Sequence, residues 1–270
     1  MSWNFMEPAG RKNLDEIWRR EAEGMFELAS DPAVWQAPTA AGHWQVRDVI
    51  AHMVDTTEVY LHSFAAARGE AESREPLGVR DMSTLMDKDA LAMRDVSQDE
   101  LLTRLRRDLD RILDVVNGLG DDEWTQLLVP HKYMGPVPAC FLPVCQMLDY
   151  IVHTWDIRQG LGRSHVLQAD AADMLVPVCF LMWQNTNDPV GVEPFTIGIR
   201  VTSGPNAGET RAAVSESGVE FTPGSVDDLA TVLEFDPASL VLAAFGRANT
   251  GTCRGDRDIA DRYLNLFYRI

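Results

Sequence analysis

Four apolar stripes with helical spacing occupy the first two-thirds of the chain, and they constrain its fold more than any other feature. Within each stripe, apolar residues recur every three or four positions, the pattern that an amphipathic helix buries on one face. Ser97, followed three residues later by Glu100, predicts the start of the third helix, and Gly118 predicts its end. Four such helices predict a four-helix bundle. The stripes are Leu14, Ile17, Trp18, Ala22, Met25 and Leu28; Val46, Val49, Ile50, Met53, Thr57, Tyr60, Leu61 and Phe64; Leu101, Leu105, Leu109, Ile112, Leu113 and Val116; and Phe141, Val144, Cys145, Leu148, Ile151, Val152 and Trp155.

The pattern changes after Arg163, which predicts a second domain. Apolar residues then alternate with smaller or polar ones, as in a half-buried strand, and glycine-rich turns separate the strands. We therefore predict an α+β protein, with a helical bundle over residues 1–165 and a smaller α+β domain over residues 166–270. In the second domain we predict helices at 171–183, 227–234, 237–245 and 258–267, and an antiparallel sheet with strands at 195–201, 209–214 and 219–221.

The balance of charges argues against two classes of partner. Of the 270 residues, 24 are Lys or Arg and 41 are Asp or Glu, so the formal net charge is −17. Such a field repels phosphate backbones and anionic bilayers, so we expect neither nucleic acid nor a membrane as a partner. The longest apolar run, at 174–183, is short and contains Pro177, and the N-terminus lacks a signal-peptide pattern. We expect a cytoplasmic monomer or homodimer.

The four cysteines are too sparse for a disulfide framework, and none forms a C-x-x-C pair. No flanking basic residue obviously lowers a thiol pKa. We therefore expect buried or neutral thiols rather than metal ligands or nucleophiles. These cysteines are Cys140, Cys145, Cys179 and Cys253.

The fourth predicted helix carries three ionisable residues beside its apolar stripe. Asp149, His153 and Asp156 stand at positions i, i+4 and i+7, which share one helix face. Because burying a charge without a partner is unfavourable, this flank is either an exposed polar edge or a site that provides partners. A carboxylate and an imidazole one turn apart are a usual way for a helix to present two metal ligands.

His52 supplies a possible third ligand from the second helix. It lies at the border of that helix's apolar stripe, where a lone histidine is more often a core residue with satisfied hydrogen bonds. A bundle can bring helices two and four together, and His52, Asp149 and His153 would then form a two-histidine, one-carboxylate set. Three protein ligands with an open fourth position are the pattern of catalytic zinc. The weaker candidates are His43, His62, His131 and His165.

Two segments and the tail resemble the signatures of a known family. Residues 44–53, WQVRDVIAHM, are similar to W-x-V-R-D-h-h-A-H-h, and residues 149–156, DYIVHTWD, to E-x-x-x-H-x-W-D. In the tail, residues 245–247 (Phe-Gly-Arg) and 255–257 (Gly-Asp-Arg) resemble a Gly-Arg and a Gly-Asp element. The chain thus resembles, over nearly its whole length, the mycothiol-dependent maleylpyruvate isomerase family of the DinB-like superfamily of metal-binding four-helix bundles.

The resemblance implies roles for five residues. His52 and His153 take the positions of the family's two metal-binding histidines, and Asp149 takes the position where the family usually has a glutamate ligand. Asp156 matches the aspartate that ends the second signature, where it would orient His153, hold a water or bind the polar cosubstrate; the alternative is a plain helix-surface residue. Arg247 matches the Gly-Arg arginine and would pair with a substrate carboxylate, or would be a surface arginine on an acidic chain.

The resemblance also implies a chemistry. The family uses a divalent metal, expected here to be zinc, and mycothiol, a cysteine conjugate of a glucosaminyl inositol, as thiol cosubstrate. The mycothiol thiolate, held by the metal, would add to an electrophilic small molecule. The result would be either cis–trans isomerisation or S-transfer. Two alternatives stay open: a hydrolase that activates water at the same site, and a non-enzymatic stress protein that binds small molecules. Where the family often has a Cys-Pro-Gly-Trp turn, this chain has residues 41–44, Ala-Gly-His-Trp.

Overall fold

Two units make up the part of the chain that the computed structural model describes, residues 2–163 and 165–268. They are Met1–Val166 and Leu167–Ile270. The first is helical apart from one small hairpin, and the second combines helices with a five-stranded sheet. The predicted α+β fold class, with a helical bundle first, is confirmed. Within the described ranges, no helix combines the length and the apolar character that crossing a membrane requires.

Four long helices form the first unit, and each corresponds to one predicted apolar stripe. The elements of this unit are α1 (Arg11–Ala29), α2 (Val46–Ala67), α3 (Met82–Leu91), α4 (Gln98–Asn117), α5 (Asp121–Gln126), the hairpin strands β1 (Leu128–His131) and β2 (Gly135–Pro138), and α6 (Phe141–Gly160). Helix α1 packs against α6, and α2 packs against both α4 and α6. The core lies between these helices because most residues of their stripes are buried, among them Leu14, Val49, Leu105 and Ile151.

The ends of α2 and α4 lie where their capping residues place them. The Ser97 hydroxyl accepts a hydrogen bond from the backbone N–H of Glu100 at 3.3 Å, and α4 ends before Gly118, as predicted. At the start of α2, Asp48 accepts a hydrogen bond from the backbone N–H of Gln45 at 2.9 Å. This cap starts α2 six residues before His52, which therefore projects from its second turn.

Helix α3 lies in a stretch for which the sequence predicts no helix. It buries only Met82 and Ala90 among its described residues, so the sequence shows no apolar stripe there. Ion pairs connect it to the rest of the unit instead. Lys132 Nζ reaches Asp89 of α3 at 2.7 Å and Asp55 of α2 at 3.1 Å.

The segment that precedes α2 packs against the C-terminal end of α6. The backbone N–H of Ala40 donates to the carbonyl of Asp156 at 2.9 Å. Gly160, the last residue of α6, lies so close to the backbone of Pro38 and Thr39 that any Cβ would collide with it. Only glycine permits this approach. The contact places the turn before α2 against the same end of α6 that bears His153.

The second unit contains a mixed sheet in the strand order β5-β4-β3-β6-β7. Its elements are α7 (Ala169–Met174), α8 (Val176–Thr186), β3 (Phe195–Val201), β4 (Gly208–Ser215), β5 (Gly218–Pro223), β6 (Val232–Phe235), α9 (Pro237–Ala244), β7 (Thr252–Arg254) and α10 (Arg257–Leu264). Strands β3, β4 and β5 are antiparallel and match the three predicted strands, whereas β6 runs parallel to β3. The antiparallel arrangement predicted for the three strands is confirmed, and the sheet continues beyond them through the parallel strand β6 and the antiparallel strand β7.

Two predicted helices of this unit differ from the structure. The helix predicted at 171–183 is broken at Leu175 because Pro177 fits only the first turn of a helix and lies in the first turn of α8, which begins at Val176. The helix predicted at 227–234 is wrong, since this segment ends in strand β6. Val232 and Leu233 are both buried, as both faces of an interior parallel strand are, so no alternation marks the strand in the sequence.

Candidate metal centre

Three side chains that could share one metal ion meet between α2 and α6. His52 comes from α2, and Asp149 and His153 come from α6; one potential ligand atom from each lies within 4.8 Å of the others. His52 Nε2 and Asp149 Oδ2 are 3.8 Å apart, and the two imidazole centroids are 5.1 Å apart. No second group of this kind occurs among residues 2–163 and 165–268.

Burial distinguishes this cluster from a polar surface patch. His52 is 1% exposed and His153 is 7% exposed, while Asp149 is half-buried. The alternative of an exposed polar edge on α6 is wrong for His153 and Asp156, since α6 is buried on nearly every side. Ionisable groups in such an interior are tolerated only with partners.

Asp156 provides the partner of His153. Its Oδ2 lies 3.0 Å from His153 Nδ1 and is fully buried. Because a carboxylate can only accept, the imidazole donates its Nδ1 proton, and the lone pair is left on Nε2. Burial lowers the pKa of His153, an effect that Asp156 offsets only in part, so the neutral imidazole is favoured. A neutral imidazole with one nitrogen held by a carboxylate is the form that binds metals.

An unpaired buried nitrogen supports a metal ion as the missing partner. His52 Nε2 is buried and has no hydrogen-bond partner in the described part of the chain. Leaving such an atom unpaired costs roughly 1–3 kcal/mol, whereas a cation would use its lone pair. Two imidazole nitrogens and one carboxylate oxygen are a donor set that suits zinc and related divalent ions. The residues therefore fit a divalent cation with three protein ligands.

Trp44 borders the cluster, a position that the sequence pattern does not predict for it. The indole centroid lies 5.2 Å from the ring of His52 and 5.8 Å from that of His153. Its place at the start of the first signature was the available signal, but the spacing along the chain does not show that an indole eight residues before a histidine folds back onto it.

The cysteines of the first unit are not poised as nucleophiles. Burial raises the pKa of Cys140 to about 11 and that of Cys145 to about 12. Both thiols are therefore protonated at neutral pH, in agreement with the buried or neutral thiols that the sequence predicts. Neither thiol of the first unit is therefore a ready nucleophile for this site.

His131 is a structural histidine of the hairpin. Its Nδ1 accepts the backbone N–H groups of Tyr133 and Met134 at 3.2 and 3.1 Å, and its Nε2 lies 3.5 Å from the Tyr60 hydroxyl. Burial lowers its pKa to about 4. The protein therefore buries His131 in its neutral form.

Acidification should reduce stability through His131. An unfolded histidine titrates near pH 6.5, so between that pH and about 4 the unfolded state binds a proton that the folded state does not. The contribution is complete above the unfolded pKa and is lost as the pH falls, by about 2 kcal/mol at pH 5. His131→Asn, whose Oδ1 can accept the same N–H groups, should have a weaker pH dependence. Urea unfolding at pH 7 and 5 measures this, and equal losses in both proteins would contradict it.

The other predicted residues are not among the three that form the cluster. Arg247 belongs to the second unit and follows α9, where its Nη1 donates to the carbonyl of Phe245 at 2.8 Å. His43 Nε2 contacts Asp87 of α3 at 2.9 Å, and His62 Nε2 lies 3.0 Å from the carbonyl of Glu72. His165 precedes the second unit and is only partly exposed.

Comparisons with known proteins show the family of this chain. Residues 14–158, more than half of the chain, match the model of the mycothiol maleylpyruvate isomerase N-terminal domain. Two crystal structures of mycothiol-dependent maleylpyruvate isomerase, one of them a point mutant, are similar in fold. The mutant has a TM-score of 0.60 and the other structure 0.58; for each, the identity is 15%, and the match covers 89% of this chain and 91% of the other. No curated protein sequence is significantly similar.

Proposed function

Because the chain belongs to the mycothiol-dependent maleylpyruvate isomerase family, we propose that it is a metalloenzyme that uses a thiol cosubstrate, mycothiol, on an electrophilic small molecule. The observation that carries this proposal is the buried cluster of His52, Asp149 and His153, together with the Nε2 of His52, which has no hydrogen-bond partner among the described residues. A bound divalent cation, zinc in this proposal, supplies the positive charge that keeps a thiol deprotonated at neutral pH.

The residues of this chain hold and orient the site. His52, His153 and Asp149 are the proposed ligands, and Asp156 holds the His153 proton on Nδ1 so that Nε2 keeps its lone pair. The surrounding helices exclude water from the two imidazoles, which are at least nine-tenths buried. Cys140 and Cys145 are too basic to compete as nucleophiles, which supports an external thiol.

Two outcomes of thiol addition are compatible with this site. When the sulfur adds to an activated double bond, a carbon–sulfur bond forms and the π electrons move to the activating group. Rotation and elimination then return the thiol and the isomerised product, whereas protonation of the adduct leaves the sulfur attached, as in S-transfer. Both outcomes need the same deprotonated sulfur, so the proposed metal site would serve either reaction.

Arg247 is the proposed partner of a substrate carboxylate, on the basis of the family's Gly-Arg element. A guanidinium binds a carboxylate through two parallel hydrogen bonds, which an ammonium cannot reproduce. In this proposal, Arg247→Lys raises KM for a carboxylate-bearing electrophile more than it lowers kcat.

Metal content and thiol dependence test the proposal together. Purified protein should contain close to one zinc per chain, or nickel acquired during purification, and should turn over an activated alkene such as maleylpyruvate only with mycothiol. His52→Ala should lose most of the metal and the activity, whereas His62→Ala, which removes a histidine from the same helix outside the cluster, should keep both.

The alternatives give different results in the same experiment. Hydrolysis of an ester or amide without any thiol would favour a metal-dependent hydrolase. Metal binding with no turnover of either class of substrate would favour a small-molecule-binding protein. Protein with no transition metal, either as purified or after reconstitution, would contradict the metal site itself.

A further inference from the structure

The turn before α2 places an aromatic side chain over both candidate histidine ligands. Trp44 is 9% exposed, and its indole is tilted by 43° from the ring of His52 and by 38° from that of His153. It lies within 6 Å of both imidazoles, the range in which aromatic rings attract one another. The position of this indole therefore limits the orientations open to both rings.

A single carboxylate oxygen anchors this indole. Trp44 Nε1 donates to Asp87 Oδ1 at 2.7 Å, and Asp87 belongs to α3, more than forty residues away in the chain. The neighbouring side chain, His43, contacts the same oxygen through Nε2 at 2.9 Å. Hydrogen bonds to a carboxylate are stronger than those between neutral groups, so the bond to Asp87 restricts the position of the indole.

Polar contacts fix α3 at this place. Arg94, just beyond α3, donates through Nε and Nη2 to the two oxygens of Asp48 at 2.8 and 2.7 Å. Burial would raise the pKa of Asp48, but Arg94 and the backbone N–H of Gln45 lower it overall, so this pair is ionised. Since α3 buries little apolar surface, such pairs determine where Asp87 stands.

We propose that Asp87 is a positioning residue, which holds the Trp44 indole against His52 and His153 and thereby orients both rings for metal binding. This inference rests on the proposed metal site and adds to it an element that comes from outside the two ligand-bearing helices. Without the hydrogen bond to Asp87, the indole can rotate about its side-chain bonds. The two imidazoles then lose the aromatic contact that restricts their orientation. The expected loss in metal affinity is about 3- to 10-fold, the scale of one aromatic contact.

Three variants separate this role from general stability. Asp87→Ala removes the acceptor, Asp87→Asn keeps an oxygen that can accept from Trp44 Nε1, and Trp44→Phe keeps a ring but removes the donor. We expect weaker metal binding in Asp87→Ala and Trp44→Phe and recovery in Asp87→Asn. The double variant that combines Asp87→Ala with Trp44→Phe should bind metal no more weakly than Trp44→Phe alone, because Asp87 acts through the indole. His43→Ala, which removes the other partner of Asp87, is the matched control and should bind as wild type.

Chelator competition gives the metal affinity, and the visible absorption of the cobalt-loaded protein reports the ligand geometry. The cobalt bands should shift in Asp87→Ala and return in Asp87→Asn, a response that a loss of stability alone would not produce. Wild-type affinity and unchanged bands in Asp87→Ala, or additive losses in the double variant, would overturn the inference. If the wild-type protein bound no metal, the proposed function would fail together with this inference. If the wild-type protein bound metal and Asp87→Ala bound it equally well, only this inference would fail.

Discussion

Asp149→Ala should lose most of its metal and its activity, whereas Asp149→Glu should keep both. Asp149 Oδ2 lies 3.8 Å from His52 Nε2, and removing this oxygen leaves two imidazoles and no anionic group among the proposed ligands of a divalent cation. We expect metal affinity to fall at least about 100-fold, beyond the range typical of residues that only support a ligand. Glutamate, one methylene longer, is the residue that the resembled family usually has at this position.

Elemental analysis of the purified variants and chelator competition measure this effect. Asp110→Ala, which removes an exposed carboxylate from α4, is the control for the change in net charge and should retain the metal. Circular dichroism should show that Asp149→Ala keeps its helices, since Asp149 is only half-buried and the apolar stripes are intact. If Asp149→Ala kept its metal and Asp156→Ala lost it, the roles of the two carboxylates would be reversed.

Asp156→Ala should retain the metal while its activity falls by about 10- to 100-fold, as is typical when a carboxylate behind a histidine ligand is removed. The physical reason is the 3.0 Å hydrogen bond to His153 Nδ1, which fixes both the tautomer and the orientation of the ring. Without it the proton can occupy Nε2, the nitrogen needed for binding, and the ring can rotate.

Asp156→Asn provides the graded comparison. Its amide oxygen can still accept the Nδ1 proton, so activity should lie between those of wild type and Asp156→Ala. Metal content, kcat and KM should be measured on protein shown by thermal unfolding to be folded, because Asp156 is fully buried. Equal activity in Asp156→Ala and wild type would show that the ring needs no such support.

Local sequence patterns were sufficient to predict most of the helices of the first unit. The stripe of α4 and its cap at Ser97 predicted that helix correctly, because a surface helix must alternate apolar and polar faces. The same logic failed for α3, whose position depends on ion pairs such as Arg94 with Asp48 rather than on a stripe. It failed again at β6, where burial on both faces removes the alternation that marks a strand.

The chain sequence by itself determined the long helices and the donor residues that they carry: His52 on α2, and Asp149 and His153 one turn apart on α6. Spacing along one helix is local, so it can be worked out without knowing the fold. Only the tertiary structure decided that α2 and α6 pack closely enough to bring the three donors within 4.8 Å, and that Asp156 turns to His153 instead of joining them. It also placed the Trp44 indole on the two imidazoles, since contacts between distant segments depend on helix packing, which spacing along one helix does not encode.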